Sequence, residues 1–276
     1  MSFLKSIIYG FISGLAEILP VSGKAHQALL RYMFGVQTRV PILDLLVHIG
    51  ILIAIIFSFR DVIARLSREQ RLSATSRRRK SQSLDNRSYF EWRLIRTATF
   101  PLFIVSALYF VTSAFEAELL KLVLFSVLNA AVLLLADHTS RGNRDARTMS
   151  GLDGIVMGVL GALSVLPGIS RTGMISSYNA IRGADHEYTV NWAVILGIPA
   201  MIFLIIFDIV SLITIGFGAI TFAILAGYIF AGVFAFVGCY VGISLLKMFL
   251  SQSGFSKFAY YSIGLALFSF ILYLLT

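Results

Sequence analysis

Six stretches of the chain carry one charged residue or none over the length that a lipid bilayer demands: residues 41–59, 95–113, 119–136, 190–210, 217–246 and 257–275. Crossing the hydrocarbon takes about 20 apolar residues in helical form, because the backbone amides find no water there and must close their hydrogen bonds within the segment. Of the 276 residues, 58% are hydrophobic and 13% charged, whereas a soluble domain has about a quarter charged. The expected fold class is an all-α polytopic membrane protein, a single integral-membrane domain over residues 1–276. Met1 to Phe11 is apolar with one lysine and runs into Ser13, Glu17 and Pro20 without a cleavage-type break, so this first segment is expected to stay in the mature protein. Cys239 is the only cysteine and lies in an apolar run, which excludes an intramolecular disulfide or a cysteine metal cluster and leaves packing or a lipid-facing place.

The net charge of +9 is concentrated. Residues 60–96 hold Arg60, Arg65, Arg68, Arg71, Arg77, Arg78, Arg79, Lys80, Arg87, Arg93 and Arg96 against four acids. Lying between two spans, this run reads as a cytoplasmic loop (60–94) under the positive-inside rule, with attraction to anionic headgroups, and no nucleic-acid partner is expected. Spans 95–113 and 119–136 then return the chain to the cytoplasm, where Arg141, Arg144 and Arg147 follow; Lys247 and Lys257 flank a later turn on the same side.

Two further apolar segments are broken. Residues 5–34 contain Glu17, Pro20, Lys24 and His26, and residues 152–183 contain Pro167, Ser170 and Arg171. Proline and glycine release backbone groups that hydrocarbon cannot solvate, so such breaks survive only against protein or a wet cavity. Both segments read as re-entrant helical hairpins meeting near the membrane middle. They also match each other: Gly14-x-x-Glu17-x-Leu19-Pro20 aligns with Gly161-x-x-Ser164-x-Leu166-Pro167, with one insertion before the serine. Three full spans separate them, so the second enters from the opposite face, hairpin one from outside and hairpin two from the cytoplasm. That is an inverted-topology repeat, repeat 1 at about 1–137 and repeat 2 at about 151–276, with a site expected where the repeats meet.

Arg171 stands where a helix restarts, and helix N-terminal amides with an arginine fork make an oxyanion or phosphate site. Ser170 and Thr172 add hydroxyls, and Gly168 and Gly173 add hairpin amides. Glu17 is a general base, a metal ligand, or the ion-pair partner of Arg171 or Lys24, since intramembrane acids take such partners. His26, the only histidine in either hairpin, is a candidate proton carrier; Ser22 and Lys24 complete the polar cluster. Asp44 and His48 share a helix face and read as interhelical hydrogen-bonding residues or as an interface position near the outer surface. His138 and His186 fall in predicted loops; Trp92 and Trp192 read as interfacial anchors.

Glu17-Ile-Leu-Pro-Val-Ser22 with His26, and Pro167-Gly-Ile-Ser-Arg-Thr-Gly173, resemble the two signature regions of the undecaprenyl-pyrophosphate phosphatase, or bacitracin-resistance, family. Leu43-Asp44 leading to His48-Ile-Gly50, Ile198-Pro199-Ala200 and Phe258-Ala-Tyr-Tyr261 also sit where that family has comparable features, so the resemblance covers nearly the whole chain. It implies six full spans with two re-entrant hairpins. The implied activity is hydrolysis of undecaprenyl pyrophosphate to the monophosphate and phosphate, which recycles the lipid carrier for cell-wall peptidoglycan synthesis and underlies bacitracin resistance. It further implies a bacterial plasma-membrane location, a site facing the outer leaflet and a divalent cation, magnesium or calcium, for which Glu17 is the candidate ligand. A homodimer is a further expectation.

Carried over by position, Glu17, Ser22 and His26 match the first motif, and Ser170 and Arg171 the second, with Thr172 for a usual serine. The chain departs at Ser13 (an acid or glutamine in the family), Gly23 (serine), Lys24 (threonine), Gly161 (glutamine) and Ile175 (threonine). One carboxylate fewer weakens a site for a hard cation, and Lys24 supplies charge in its place. Without a serine at Gly23, the nucleophile is Ser22, Ser170, His26 or water. The reading carried forward is a lipid pyrophosphatase with Glu17, His26, Ser170 and Arg171 as catalytic residues and Ser22, Lys24, Gly168, Thr172 and Gly173 on the phosphates. Its rival is a non-hydrolytic polyprenyl-phosphate binder or flippase, which the departures favour.

Overall fold

The computed structural model describes residues 1–36, 39–76, 86–112, 119–139, 142–216 and 220–275. Its named elements are all helical: α1 (Phe3–Ile18), α2 (Gly23–Met33), α3 (Pro41–Ser58), α4 (Arg60–Ser76), α5 (Asn86–Ser106), α6 (Tyr109–Thr112), α7 (Leu119–Asp137), α8 (Gly151–Ala162), α9 (Arg171–Ile181), α10 (His186–Ile195), α11 (Gly197–Ile215), α12 (Phe222–Ser253) and α13 (Ser256–Leu274). The chain is an all-α polytopic membrane protein. Five helical stretches among the described residues are long and apolar enough to cross a bilayer: Pro41–Ser58, Leu119–Asp137, Glu187–Ile215, Phe222–Phe249 and Ser256–Leu274.

The sixth expected span, 95–113, is not one straight helix. It is divided between the end of α5 and the short α6. Pro101 sits inside α5 and cannot donate to the ladder. Six residues on, Ala107 N–H is shared between the carbonyls of Phe103 and Ile104, both at 3.2 Å. The loop expected at 60–94 also differs. Its described residues include α4 and the first turns of α5, because a run of Arg, Leu, Ala and Glu is good helix-forming sequence even where it is too charged for lipid. Arg65 pairs with Glu91 at 2.8 Å, and Trp92 Nε1 donates to Leu66 O at 2.7 Å, which fixes α4 against α5.

Both broken segments form helix–turn–helix hairpins, α1/α2 and α8/α9. Each lays its first helix against a long partner at backbone contact. A Cβ on Gly10 or Gly14 would collide with the carbonyls of Ala231 and Ala235 on α12; one on Gly154 or Gly158 would collide with Thr97 and Ala98 on α5. Helices in lipid gain little from hydrophobicity alone, and small residues let them approach closely enough for dispersion and packing to hold them. Thus α1 lies on α12 as α8 lies on α5, while α3 packs on α11 and α12, and α7 on α13 and α9. The second hairpin is stapled at its base by Asp153. Ser150 and Asp153 form a capping box, and the same carboxylate accepts from Tyr178 OH on α9 at 2.6 Å and from Nε of Arg182, which caps the end of α9, at 2.9 Å.

Cys239 is buried with Sγ 3.8 Å from Ile51 O, a packing position. Trp192 is not an interfacial anchor: it is buried in a core cluster with Leu94, Met157 and Ile175, its ring 5.5 Å from that of Tyr188. His138 is exposed, and the side chain of His186 lies outside the described residues.

Candidate functional site

The hairpin tips, residues 19–22 and 163–170, meet and cap each other. Ser22 is the N-cap of α2: its Oγ accepts from Ala25 N at 3.2 Å and, across the hairpins, from Gly168 N at 2.9 Å. Ser170 is the N-cap of α9: its Oγ accepts from Gly173 N at 3.0 Å and donates to Leu19 O at 3.1 Å. Gly168 has φ +121°, and a side chain there would strike Phe125 and the backbone of Ser126. A third element locks the crossing. Asn129 of α7 accepts from Ser170 N at 3.0 Å and donates to Pro20 O at 3.3 Å and Ser262 Oγ at 3.1 Å. Asn129→Leu leaves buried tip groups without partners, at about 1–3 kcal/mol each. It is expected to lower the unfolding free energy by about 3 kcal/mol, measured by thermal melting in detergent.

This crossing brings two helix N-termini, of α2 and α9, to one buried point, where their dipoles add positive potential. Arg171, the first residue of α9, is 2% exposed and Glu17 is 9% exposed. Arg171 Nη1 lies 3.6 Å from Glu17 Oε1, within ion-pair range but beyond hydrogen-bond range. Nη2 donates to Glu17 O at 3.4 Å, and Thr172 Oγ1 to the same carbonyl at 3.5 Å. Arg171 Nε and Nη1 are buried without an acceptor among the described residues. An arginine in that state is costly unless an anion completes it.

Three of the five departures from the family motifs, at Gly23, Gly161 and Ile175, have packing reasons. A Cβ on Gly23 would fall on Glu17 Oε2, so the glycine makes the seat that the carboxylate occupies. A Cβ on Gly161 would lie 3.0 Å from Ile175 Cδ1: the isoleucine takes up room left by the absent glutamine. Ser13 is fully buried, and its Oγ has no partner among the described residues.

The two remaining candidates on α2 point to other elements. His26 turns toward α13. Its Nδ1 is 2.7 Å from Ser22 O and its Nε2 is 2.7 Å from Tyr261 OH, with the rings stacked 5.7 Å apart. A carbonyl accepts only, so Nδ1 carries a proton, and in the neutral ring Nε2 accepts from the tyrosine. Beside this pair lies an apolar recess of about 390 Å³ lined by Leu15, Leu19, Val21, Phe249 and Phe258, with Lys257 also on its wall. Lys24 places its Nζ 4.6 Å from the centre of the Tyr109 ring.

Several participants were not foreseen from the sequence. Arg39 lies 5.3 Å from the same Tyr109 ring and bridges Asp44 (3.0 Å) and Asp208 (2.5 Å). Asp44 also accepts from Tyr9 OH at 2.7 Å and Arg31 at 3.2 Å, and His48 Nδ1 meets Asp208 at 2.6 Å, so the expectation that Asp44 and His48 join helices holds. Gly197, at the start of α11, faces the guanidinium: a Cβ there would stand 3.0 Å from both Nη atoms of Arg171. The only hint was its place before the Ile198-Pro199-Ala200 run.

Hairpins facing tip to tip around a buried arginine–carboxylate pair place this chain in a class of multi-pass helical membrane protein. Residues 6–268 match the family model of the bacitracin resistance protein BacA, and the chain belongs to that family. Among similar curated proteins are an undecaprenyl-diphosphatase of Methanobrevibacter smithii, 30% identical over 95% of this chain and 94% of its own, and one of Alkaliphilus metalliredigens, 28% identical over 95% of both chains. An undecaprenyl-diphosphatase of Idiomarina loihiensis is 29% identical over 100% of this chain and 99% of its own.

Proposed function

We propose that the chain is an undecaprenyl-diphosphatase, a hydrolase that cleaves undecaprenyl pyrophosphate to undecaprenyl phosphate and phosphate at the crossing of its hairpin tips. The observation that carries this reading is Arg171, sealed from solvent with Nε and Nη1 lacking acceptors among the described residues, 3.6 Å from a carboxylate. A bound pyrophosphate completes those donors and takes the guanidinium from Glu17. The α2 and α9 N-termini add to the hold on the charge that grows in the transition state. Glu17, released from its partner, takes the proton of an attacking water. The serines divide differently. Ser170 Oγ already donates to Leu19 and accepts from Gly173, which makes it a positioning residue. Ser22 Oγ accepts twice and keeps its own proton to give a phosphate oxygen. With both hydroxyls capping helices, direct attack by water is favoured over a seryl intermediate. Thr172, Gly168 and Gly173 shape the tip, and His26 with Tyr261 carries the proton away. The recess beside the tip offers isoprene units an apolar seat.

The paired packing of α1 on α12 and α8 on α5 supports the inverted repeat and its two halves, about 1–137 and 151–276. Lys247 over the Phe59 ring, Arg93 donating to Met149 O and Arg182 on Asp153 gather positive charge at one end of the bundle. This supports a plasma-membrane orientation with that end cytoplasmic and the site reached from the outer leaflet. The homodimer belongs to the same proposal.

Purified protein given farnesyl pyrophosphate is expected to release inorganic phosphate and leave the monophosphate. Intact substrate, with lipid pyrophosphate crossing liposome leaflets instead, would give the flippase reading the place of this one. Gly197→Ala presses a methyl on the guanidinium and is expected to lower kcat/KM about tenfold with unchanged melting, since small misplacements at a reacting centre are expensive.

A further inference from the structure

The family resemblance implies a divalent cation, and the donor set here does not fit one. Hard cations take six or more oxygen ligands, carboxylates foremost. Among the described residues no three His, Cys, Asp or Glu side chains gather where they would hold a metal ion. At the tips the carboxylate is Glu17, and it faces Arg171. Where the family carries an acid or a glutamine, this chain has Ser13, buried on α1. The next carboxylates outward, Asp44 and Asp208, are both held by Arg39, Asp44 also by Arg31 and Asp208 also by His48.

Cations stand there instead. Lys24 is 5% exposed and follows Gly23, the residue on which the Glu17 carboxylate rests. It sits in the first turn of α2, at the positive end of the helix dipole, and the Asp44 carboxylate is close enough to act on its charge. Gln27 and Arg31 follow on the same helical face, both buried, with Gln27 Oε1 lacking a partner among the described residues. Tyr109 ties this face to Arg39 by receiving Lys24 and Arg39 on one ring. Relative to family members with an acid at that position, Ser13 removes a negative charge, and Lys24 adds a positive one, both in the direction that substitutes for a dication. An ammonium on a flexible four-carbon stem is a point charge that swings from its ring to a phosphate oxygen.

Building on the phosphatase reading, we propose that Lys24, with Arg171, neutralises the pyrophosphate in place of a resident divalent cation, so that this chain hydrolyses its substrate without one. The charge on the bridging and terminal oxygens is then met by Lys24, Arg171 and the Ser22 hydroxyl. The water oxygen bonds to the terminal phosphorus as its bond to the bridging oxygen breaks, the lipid monophosphate leaves, and the proton taken by Glu17 passes on through His26.

The test compares phosphate release from farnesyl pyrophosphate by the purified protein in EDTA and in magnesium or calcium, with manganese binding followed by electron paramagnetic resonance. The expected result is release in EDTA within about threefold of that with metal, and no stoichiometric manganese on the substrate-free protein. Lys24→Thr, the family's residue, is expected to lose at least about tenfold in EDTA and to recover with magnesium. Ser13→Glu/Lys24→Thr is expected also to acquire manganese binding. Lys24→Arg, which keeps the charge, retains release in EDTA. Wild-type release abolished by EDTA and restored by magnesium, or one manganese bound per wild-type chain, overturns the inference while leaving the phosphatase reading intact. No release in either condition removes the phosphatase reading and the inference together.

Discussion

Arg171→Lys is expected to melt close to the wild type and yet to release phosphate from farnesyl pyrophosphate about 100-fold more slowly, and Arg171→Ala about 1,000-fold more slowly. The alanine change alone is ambiguous. It leaves Glu17 buried without its partner, and breaking a buried ion pair that way costs about 3–5 kcal/mol. Lysine keeps the charge opposite Glu17 but has no planar fork, so it separates folding from phosphate recognition. The guanidinium sits at 1% side-chain exposure between Glu17 and Gly197. A lysine stem in that slot delivers one nitrogen where Nε and Nη1 stood ready.

The second large effect has the opposite signature. Glu17→Gln is expected to lower kcat by about 100- to 1,000-fold, the range for loss of a general base, while KM stays level or falls. In the resting protein the carboxylate competes with phosphate for Arg171, and an amide does not. A mutation that removes ground-state competition and the base together lowers kcat and KM in company. Steady-state kinetics over a substrate series read this directly. A KM that rises steeply with kcat unchanged would place Glu17 in binding and not in proton transfer.

Much of the architecture is legible in the residue order because membrane physics leaves few alternatives. An uncharged run of span length has to be helical, and a run broken by Pro20 or Pro167 has to turn back against protein. The tip residues are legible for the same reason: Glu17 and Arg171 are too costly in hydrocarbon to lack each other or a ligand. What sequence does not carry is direction and long-range partnership. His26 and Lys24 are two residues apart, yet helical geometry sends one to Tyr261 on α13 and the other to Tyr109 on α6. Asn129 shows nothing locally, since its partners Pro20, Ser170 and Ser262 lie 109, 41 and 133 positions away. Arg39 reaches Asp208 across 169 positions. The division of the segment 95–113 is different: Pro101 was visible, but apolar content alone argued for a straight span.

That the two tips build one pyrophosphate site is tested most directly by binding without turnover. Calorimetric titration with the methylene analogue of farnesyl pyrophosphate, whose bridging carbon resists hydrolysis, isolates recognition from chemistry. The prediction is one analogue per wild-type chain, at least about tenfold weaker binding by Arg171→Lys, and binding by Glu17→Gln as tight as the wild type or tighter. Equal affinity in the wild type and Arg171→Lys, with weaker binding by Glu17→Gln, would contradict it.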